Sequence, residues 1–356
     1  MEIQQQHSRE TGHPLQQGQL LVGIDLGTCR TAVMSSRGAR FMCRSVVGYP
    51  KDVISERMVG SGPIIGQDAI KKRSFLDLCY PLADGVIREA SERDYDAAYE
   101  LIKHVVGLAK QGTDSPVSGI IGVPARASIM NKELLLDIAK EVMSVALVVS
   151  EPFMVAYQLG KLSNCIVIDI GAGTVDICGM KGTVPAADDQ VTFLKGGDFI
   201  DGRLEAAIAR HYPGVQITDS VACAIKEAHA FVGEATAPVI AKLRMEGKPV
   251  AFDVTEDVRV VCESIVPDIV EQLETLIMKF DPEDQEEALK NIILAGGGSR
   301  IRGLDRMIAR QMKDYGEIVV TCVDDPEFVG SAGALRLATE IPADKWPEIG
   351  VMFGAD

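Results

Sequence analysis

The sequence predicts an α/β protein built from two related domains, and three observations lead there. The first is size: 356 residues, 47% hydrophobic and 24% charged, are enough for two domains that each bury a core. The second is a repeated strand, Gly-centred turn and strand, GIDLGTCRTAV at 23–33 and VIDIGAGTVDI at 167–177. Superimposed, they align Ile24 with Ile168, Asp25 with Asp169 and Gly27 with Gly171, an offset of 144 residues, close to half the chain. The third is element order, strands first and then strands alternating with helices. A short Gly-rich match alone is weak. Here the Asp, the Gly and the apolar flanks all agree, so one architecture used twice is the simplest reading.

Residues 1–19 (MEIQQQHSRETGHPLQQGQ) form a polar tail with neither the apolar core of a signal peptide nor the apolar face of an amphipathic anchor. LLVGID, GTCR and TAVMSS then give the first hairpin. ARFMCRSVVGYP is extended and leads into a Gly- and Pro-punctuated stretch, a small inserted subdomain at about 40–85. Within it Met58, Ile64 and Ile65 read equally as interface or local core. Ala97, Ala98, Leu101, Ile102, Val105 and Leu108 recur at helical spacing, GIIGVPA is a buried strand, and 131–142 is a second helix. ALVVS is another buried strand, and FMVAYQLGKL, after Glu151-Pro152, is a third helix. The first domain is thus 20–165. The second, 166–329, repeats the hairpin, starts a helix at GGDFIDGRLEAAI, carries an insertion at about 198–265, and reaches NIILAGGGSRIRGL, a strand running into a Gly-rich turn and helix. A last helix covers 330–339.

The net charge of −15 and pI near 4.9 would repel a polyanion, which argues against nucleic acid and against a basic membrane-surface binder. A nucleotide carrying its own magnesium is compatible, because backbone amides and a metal neutralise phosphate without a basic surface. The eight cysteines are scattered, with no CxxC and no histidine at ligand spacing, which predicts reduced thiols, no zinc site and a cytoplasmic protein. No apolar run reaches the roughly 18 residues of a membrane span.

Glycines at two hairpin tips let backbone N–H groups approach phosphate oxygens, and Thr28 and Thr174 add hydroxyls. Asp25 and Asp169, leaving the first strand of each hairpin, face such phosphates with like charge. That implies a hydrated Mg²⁺, which uses few protein ligands. The competing reading is that each Asp-x-Gly only forms a turn. GGGSR at 296–300 has the strand-before, helix-after context of a backbone-lined nucleotide site, yet it is neither GxGxxG nor a P-loop.

In order, GIDLGT, VSEPFMVAY, DIGAGT, GGGSR and GSAGALRLA resemble the phosphate 1, connect 1, phosphate 2, adenosine and connect 2 motifs of the actin, Hsp70 and sugar-kinase superfamily. GGDFIDGRLEAAI, SVVGYPKDVI, GVPARAS and DICGMKGTVP narrow the resemblance to the bacterial actins, above all those that organise magnetosomes. It implies an actin-like α/β fold of two RNase H-like domains with inserted subdomains, nucleotide in the cleft, and 330–356 returning to the first domain.

The resemblance further implies that Asp25, Gly27, Thr28 and Cys29 line the first phosphate loop and Asp169, Gly171, Ala172, Gly173 and Thr174 the second. Ala172 stands where many relatives have Gly. Asp25 and Asp169 would hold Mg²⁺ through water. Glu151 would orient the water that attacks the γ-phosphate, with Asp169 and Thr174 as its catalytic neighbours; a plain helix-start carboxylate before Pro152 is the alternative. Lys226 and Glu227 match the pair that holds adenine and ribose, against the alternative of an exposed helix face. Gly297, Gly298, Ser299 and Arg300 match the adenosine loop, with Arg300 against the base.

The implied activity is an ATPase that binds Mg-ATP, polymerises head to tail and turns filaments over through hydrolysis to ADP. Its implied partners are itself and magnetosome-associated adaptor proteins, with no direct membrane insertion. A small-molecule kinase, an MreB-like cell-shape protein and an ATP-binding scaffold are the alternatives.

Overall fold

The computed structural model describes residues 18–88 and 91–346, so most of the polar tail and the last ten residues of the chain lie outside the described residues. Two five-stranded sheets carry the fold, in one shared strand order. In the first, Arg40–Arg44, Arg30–Ser35 and Leu20–Leu26 are antiparallel neighbours, and Val117–Val123 and Val145–Ser150 extend the sheet in parallel. In the second, Gln190–Phe193, Val175–Lys181 and Ser163–Ile170 are antiparallel, and Ile292–Ala295 and Val320–Cys322 continue in parallel. The repeated hairpin is therefore part of a repeated topology. Asp25 pairs with Ala32 on the same rung where Asp169 pairs with Asp176.

Local chemistry explains the elements. Val117–Val123 is buried at every position, as a central parallel strand covered on both faces must be. The helix Glu92–Lys110 starts where the Ser91 side chain accepts from the amide of Asp94, and carries Glu92 and Asp94 in its first turn. It buries Ala97, Leu101, Ile102 and Val105 on one face. Gln111, in the left-handed region at φ 48°, ends it.

The insertions differ from one another. Arg40–Arg44, which a boundary at about 40 would assign to the first insertion, completes the main sheet instead. That insertion has its own three-stranded sheet, Ile64–Ile65, Val47–Pro50 and Leu76–Cys79, over a small core of Val46, Ala69 and Leu76. Ile64 packs against this core, whereas Met58 is 64% exposed. The second insertion, with strands Val215–Gln216, Ile240–Met245 and Lys248–Asp253, places Leu243 and Phe252 in the same core as Ile166 and Ile168 of the second sheet. Two further helices, Val266–Ile277 and Pro282–Leu289, both open with proline in the first turn, where its missing N–H costs nothing.

The helix Val329–Glu340 packs on Leu20–Leu26 and on the helix Glu151–Leu159. Its Ala334, Leu337 and Ala338 join Ile120, Met154, Val167 and Ile293 in one core, so two helices are held between the two sheets. Contact this close depends on missing side chains. A Cβ on Gly23 would run into the backbone of Ser331 and Leu335, and one on Gly333 into the carbonyl oxygen of Met154. Gly333→Ala is expected to cost about 1–3 kcal/mol through overpacking. Gly107→Ala, on a helical face where a Cβ meets nothing within 4 Å, should stabilise by about 0.5–1 kcal/mol. Urea midpoints at constant slope measure both.

Candidate functional site

The two hairpin turns meet tip to tip. A Cβ on Gly173 would lie 2.8 Å from Thr28 Oγ1 and 2.8 Å from Asp84 Cα, so only glycine allows this approach. Each turn has its carbonyl edge occupied from outside. In the first, Ser45 donates its hydroxyl to Gly27 O (2.7 Å) and its amide to Cys29 O (3.0 Å). In the second, the amides of Gly197 and Asp198, opening the helix Gly197–His211, donate to Gly171 O (2.9 Å) and Ala172 O (2.8 Å). Because N–H and C=O point opposite ways in a trans peptide, the amides of Thr28, Arg30, Ala172 and Gly173 are turned away from these braces. Amides so arranged present donors suited to anionic oxygens.

The two threonines differ. Thr28 Oγ1 accepts from Gly85 N (2.8 Å), a bond that leaves its own hydrogen uncommitted. Thr174 is buried and donates to Asp176 Oδ2 (2.7 Å), so its hydrogen is directed at a carboxylate.

Four carboxylates gather behind the turns. Burial pushes Asp25 up to about 6. Asp169 is held well above the usual carboxylate range, first by burial and then by the charges of Asp25 and Asp176. Glu151, the first residue of the helix Glu151–Leu159, is raised in the same way by burial, then by Asp25, Asp176 and Asp169. Its Oε1 is buried without a hydrogen-bond partner. Burial also raises Asp176, but hydrogen bonds from Thr192, Thr174 and the Ala125 amide oppose that rise.

Such a cluster suits a divalent cation, whose charge relieves the mutual repulsion, and the orphaned Glu151 oxygen leaves an acceptor facing the same space. Among the described residues no three His, Cys, Asp or Glu side chains form a ready-made metal cage. Asp25 and Asp169 with water match the sparse protein ligation of Mg²⁺.

The GGGSR turn at 296–300 packs on the end of Ser163–Ile170. Gly296, at φ 68°, leaves no room for a Cβ beside Asp169 Oδ1, and Gly298 leaves none beside Ile170. Gly297 borders open space, and Ser299 Oγ closes the turn onto Gly296 O at 2.7 Å. Arg300 is 2.8 Å from Glu327, a surface ion pair. Lys226 is engaged within the second half: its Nζ donates to Gly197 O (2.9 Å) and Asp201 Oδ2 (2.7 Å). Its ammonium therefore braces the second loop through Gly197. Glu227, the next residue, reaches across to Arg30 at 2.5 Å. Cys29 Sγ accepts from Arg44 at 2.6 Å.

Three participants are not singled out by the sequence. Asp176 joins the halves, accepting from Thr192 Oγ1 (2.5 Å) and from Ala125 N (2.8 Å) of the first half. Its spacing of two from Thr174, the same face of a strand, is the available signal. Ser45 and the Asp84-Gly85 turn leave no signal, since their roles arise only when distant segments meet.

A cavity of about 790 Å³, lined by Gly233, Thr255, Arg259, Pro267, Met307 and Arg310, lies in the second half and includes neither hairpin. A smaller one of about 230 Å³ lies between the halves, bordered by Ala125, Arg126, Ser150 and Pro185.

Comparison with known proteins agrees with this architecture. The MreB/Mbl protein family model matches residues 19–345. The actin-like protein MamK of Paramagnetospirillum magneticum is 52% identical over 336 residues, covering 94% of this chain and 97% of that protein. MamK of Magnetospirillum gryphiswaldense is 52% identical over 335 residues, covering 94% and 93%. Among solved structures, a MamK double helical filament has a TM-score of 0.89 at 53% identity, covering 91% of this chain and 100% of that chain. A non-polymerising MamK mutant bound to AMPPNP, again at 53% identity and covering 91% and 99%, gives 0.72. With identity and coverage matched, the gap between these scores reports a difference in shape. The chain belongs to the MreB/Mbl family of actin-like proteins.

Proposed function

We propose that this chain is a filament-forming actin that closes its two halves on Mg-ATP, polymerises head to tail, and hydrolyses ATP to govern filament turnover. One observation carries the reading: two facing hairpin turns with outward-braced carbonyls, set before the buried carboxylates Asp25, Asp169 and Glu151. Relatives at 53% identity include a MamK double helical filament and a mutant bound to AMPPNP, which supports both polymer and nucleotide. The similarity to MamK supports a cellular role as a cytoplasmic filament that positions magnetosomes, working through adaptor proteins. Among the described residues no helix is long and apolar enough to cross a membrane.

In this reading the turn amides and the Thr28 hydroxyl bind the phosphates. Gly297, Gly298 and Ser299 line the adenosine end, with Glu227 toward the ribose. Asp25 and Asp169 would hold Mg²⁺ through water, and the ion neutralises phosphate charge when bound. Glu151 supplies an acceptor, Oε1, for the proton of a water aligned on the γ-phosphate; positioning matters more than base strength in this reaction. Thr174 acts through Asp176, whose bond to Ala125 couples the second loop to the first half. Head-to-tail growth follows from heterologous contacts that do not close a ring.

Light scattering and phosphate release, measured together with Mg-ATP and no other substrate, test the proposal. Both signals are expected; scattering without release points to a scaffold, and neither defeats it. Glu151→Ala should keep nucleotide-dependent scattering and lose phosphate release by about 10²-fold or more. Normal release from that variant refutes the role given to Glu151.

The carboxylate cluster also sets a pH dependence. Asp25 has a folded pKa of about 6 against an ordinary value of 3.8, so between these the folded state holds more protons than the unfolded. Stability then falls as pH rises through that window, and the raised Asp169 and Glu151 extend the trend upward. The melting temperature of metal-free protein is expected to rise on lowering pH from about 7.5 to about 6. Saturating Mg-ATP, which selects the ionised carboxylates, should flatten or reverse the slope.

A further inference from the structure

An ion-pair cluster bridges the two halves, and the nucleotide reading does not use the pairing itself, although it places Glu227 toward the ribose. Arg30, the first residue of the strand Arg30–Ser35, places Nη2 2.5 Å from Oε1 of Glu227 on the helix Asp219–His229. Arg44, on the neighbouring strand, brings Nη2 to 3.9 Å from the same oxygen. Its Nη1 donates to Cys29 Sγ at 2.6 Å, which fastens the cluster to the first turn. Two guanidiniums from one half thus converge on one carboxylate from the other. Their side chains are 33%, 30% and 40% exposed for Arg30, Arg44 and Glu227, so the cluster borders solvent.

We propose that Arg30 and Glu227, backed by Arg44, form a latch across the cleft that slows nucleotide release; this rests on the cleft being the nucleotide site. Other ties between the halves lie elsewhere. Asp176 accepts from Ala125 N at 2.8 Å, Arg126 N donates to Thr192 Oγ1 at 3.0 Å, and Arg126 Nη1 donates to Ala187 O at 2.7 Å. Those bonds involve backbone groups on a short connection, the geometry of a pivot. The hairpin tips touch through Gly173 and Thr28 by packing alone. Separation of the halves about the pivot must therefore break the Arg30–Glu227 pair, which joins the first turn's strand to the second insertion.

Position makes the pair selective for release. Arg30 directly follows the turn Gly27-Thr28-Cys29, so its backbone amide and its guanidinium serve opposite ends of one residue, the amide toward anions and the side chain toward the facing helix. Arg44 keeps a second cation within reach of the carboxylate, so a transient loss of one contact leaves another attraction in place. A partly exposed pair is screened by salt, which makes the latch dependent on ionic strength. Arg30 is a positioning residue here, acting through Glu227.

The test is stopped-flow displacement of a fluorescent N-methylanthraniloyl ADP, with Mg²⁺, from the full chain. Arg30→Gln should release it about fivefold faster, the equivalent of about 1 kcal/mol. Arg30→Lys, which keeps the charge, should release close to the unaltered rate. In a Glu227→Gln background, Arg30→Gln should add nothing, because its partner is already gone. At high salt the unaltered chain and Arg30→Gln should converge. Unchanged release from Arg30→Gln, or independent multiplying effects of Arg30→Gln and Glu227→Gln, overturns the latch. Failure of the unaltered chain to bind the probe at equilibrium overturns the nucleotide reading itself, so the two failures are told apart.

Discussion

Everything at the centre of this molecule answers to one electrostatic constraint, the gathering of Asp25, Glu151, Asp169 and Asp176 where both halves meet. Burial and like charge raise Asp169 and Glu151, and burial raises Asp25 and Asp176, above the ordinary carboxylate range. Two of them end the first strand of a hairpin, one opens a helix, and one sits on the return strand opposite Asp169. Each is carried on a regular element, so the fold itself sets their backbone positions. A fold that concentrates negative charge this way is poised for a cation and for the anion that accompanies it. Asp176 is locally compensated, by three donors, and it also ties the halves together.

Close approach is the second requirement. The turns meet only because Gly173 lacks a side chain, and the helix Val329–Glu340 settles on the first sheet only because Gly23 and Gly333 do. The bracing of both turns follows one logic with different means. Ser45, from the end of a neighbouring strand, holds the first, and the amides at the start of a helix hold the second. Two sequence-unrelated solutions thus produce the same orientation of donors, which is what related halves that have drifted apart must preserve.

How much of this is legible in the sequence depends on whether the information is local. The two hairpins, with Asp25 over Asp169, stand out because strand, aspartate and glycine lie within one short segment. The buried strands over 117–123 and 145–150 are equally plain, since apolar runs bounded by turn residues leave few alternatives. The strand Arg40–Arg44 is harder to place, because nothing in ARFMCR says that its partner is Arg30–Ser35 rather than the insertion that follows. Lys226 looks like a ligand residue from its neighbourhood in AIKEAHAFV. Its ammonium instead meets Asp201 from the preceding helix, a pairing between two helices that periodicity alone does not reveal. Asp176 escapes notice for a related reason: its importance comes from Ala125, 51 residues away.

The helix Val329–Glu340 carries a consequence for how the chain is made. The second sheet draws all its strands from Gln190–Phe193, Ser163–Lys181, Ile292–Ala295 and Val320–Cys322, a continuous stretch of chain. The first sheet is synthesised earlier, yet the helix that covers its Leu20–Leu26 strand emerges only after every strand of the second sheet. On the ribosome the first half must wait with an apolar face uncovered while the second half is completed. Contacts of such long sequence separation slow folding and prolong exposure to aggregation. The half that is translated first is thus completed only after the second sheet has been made.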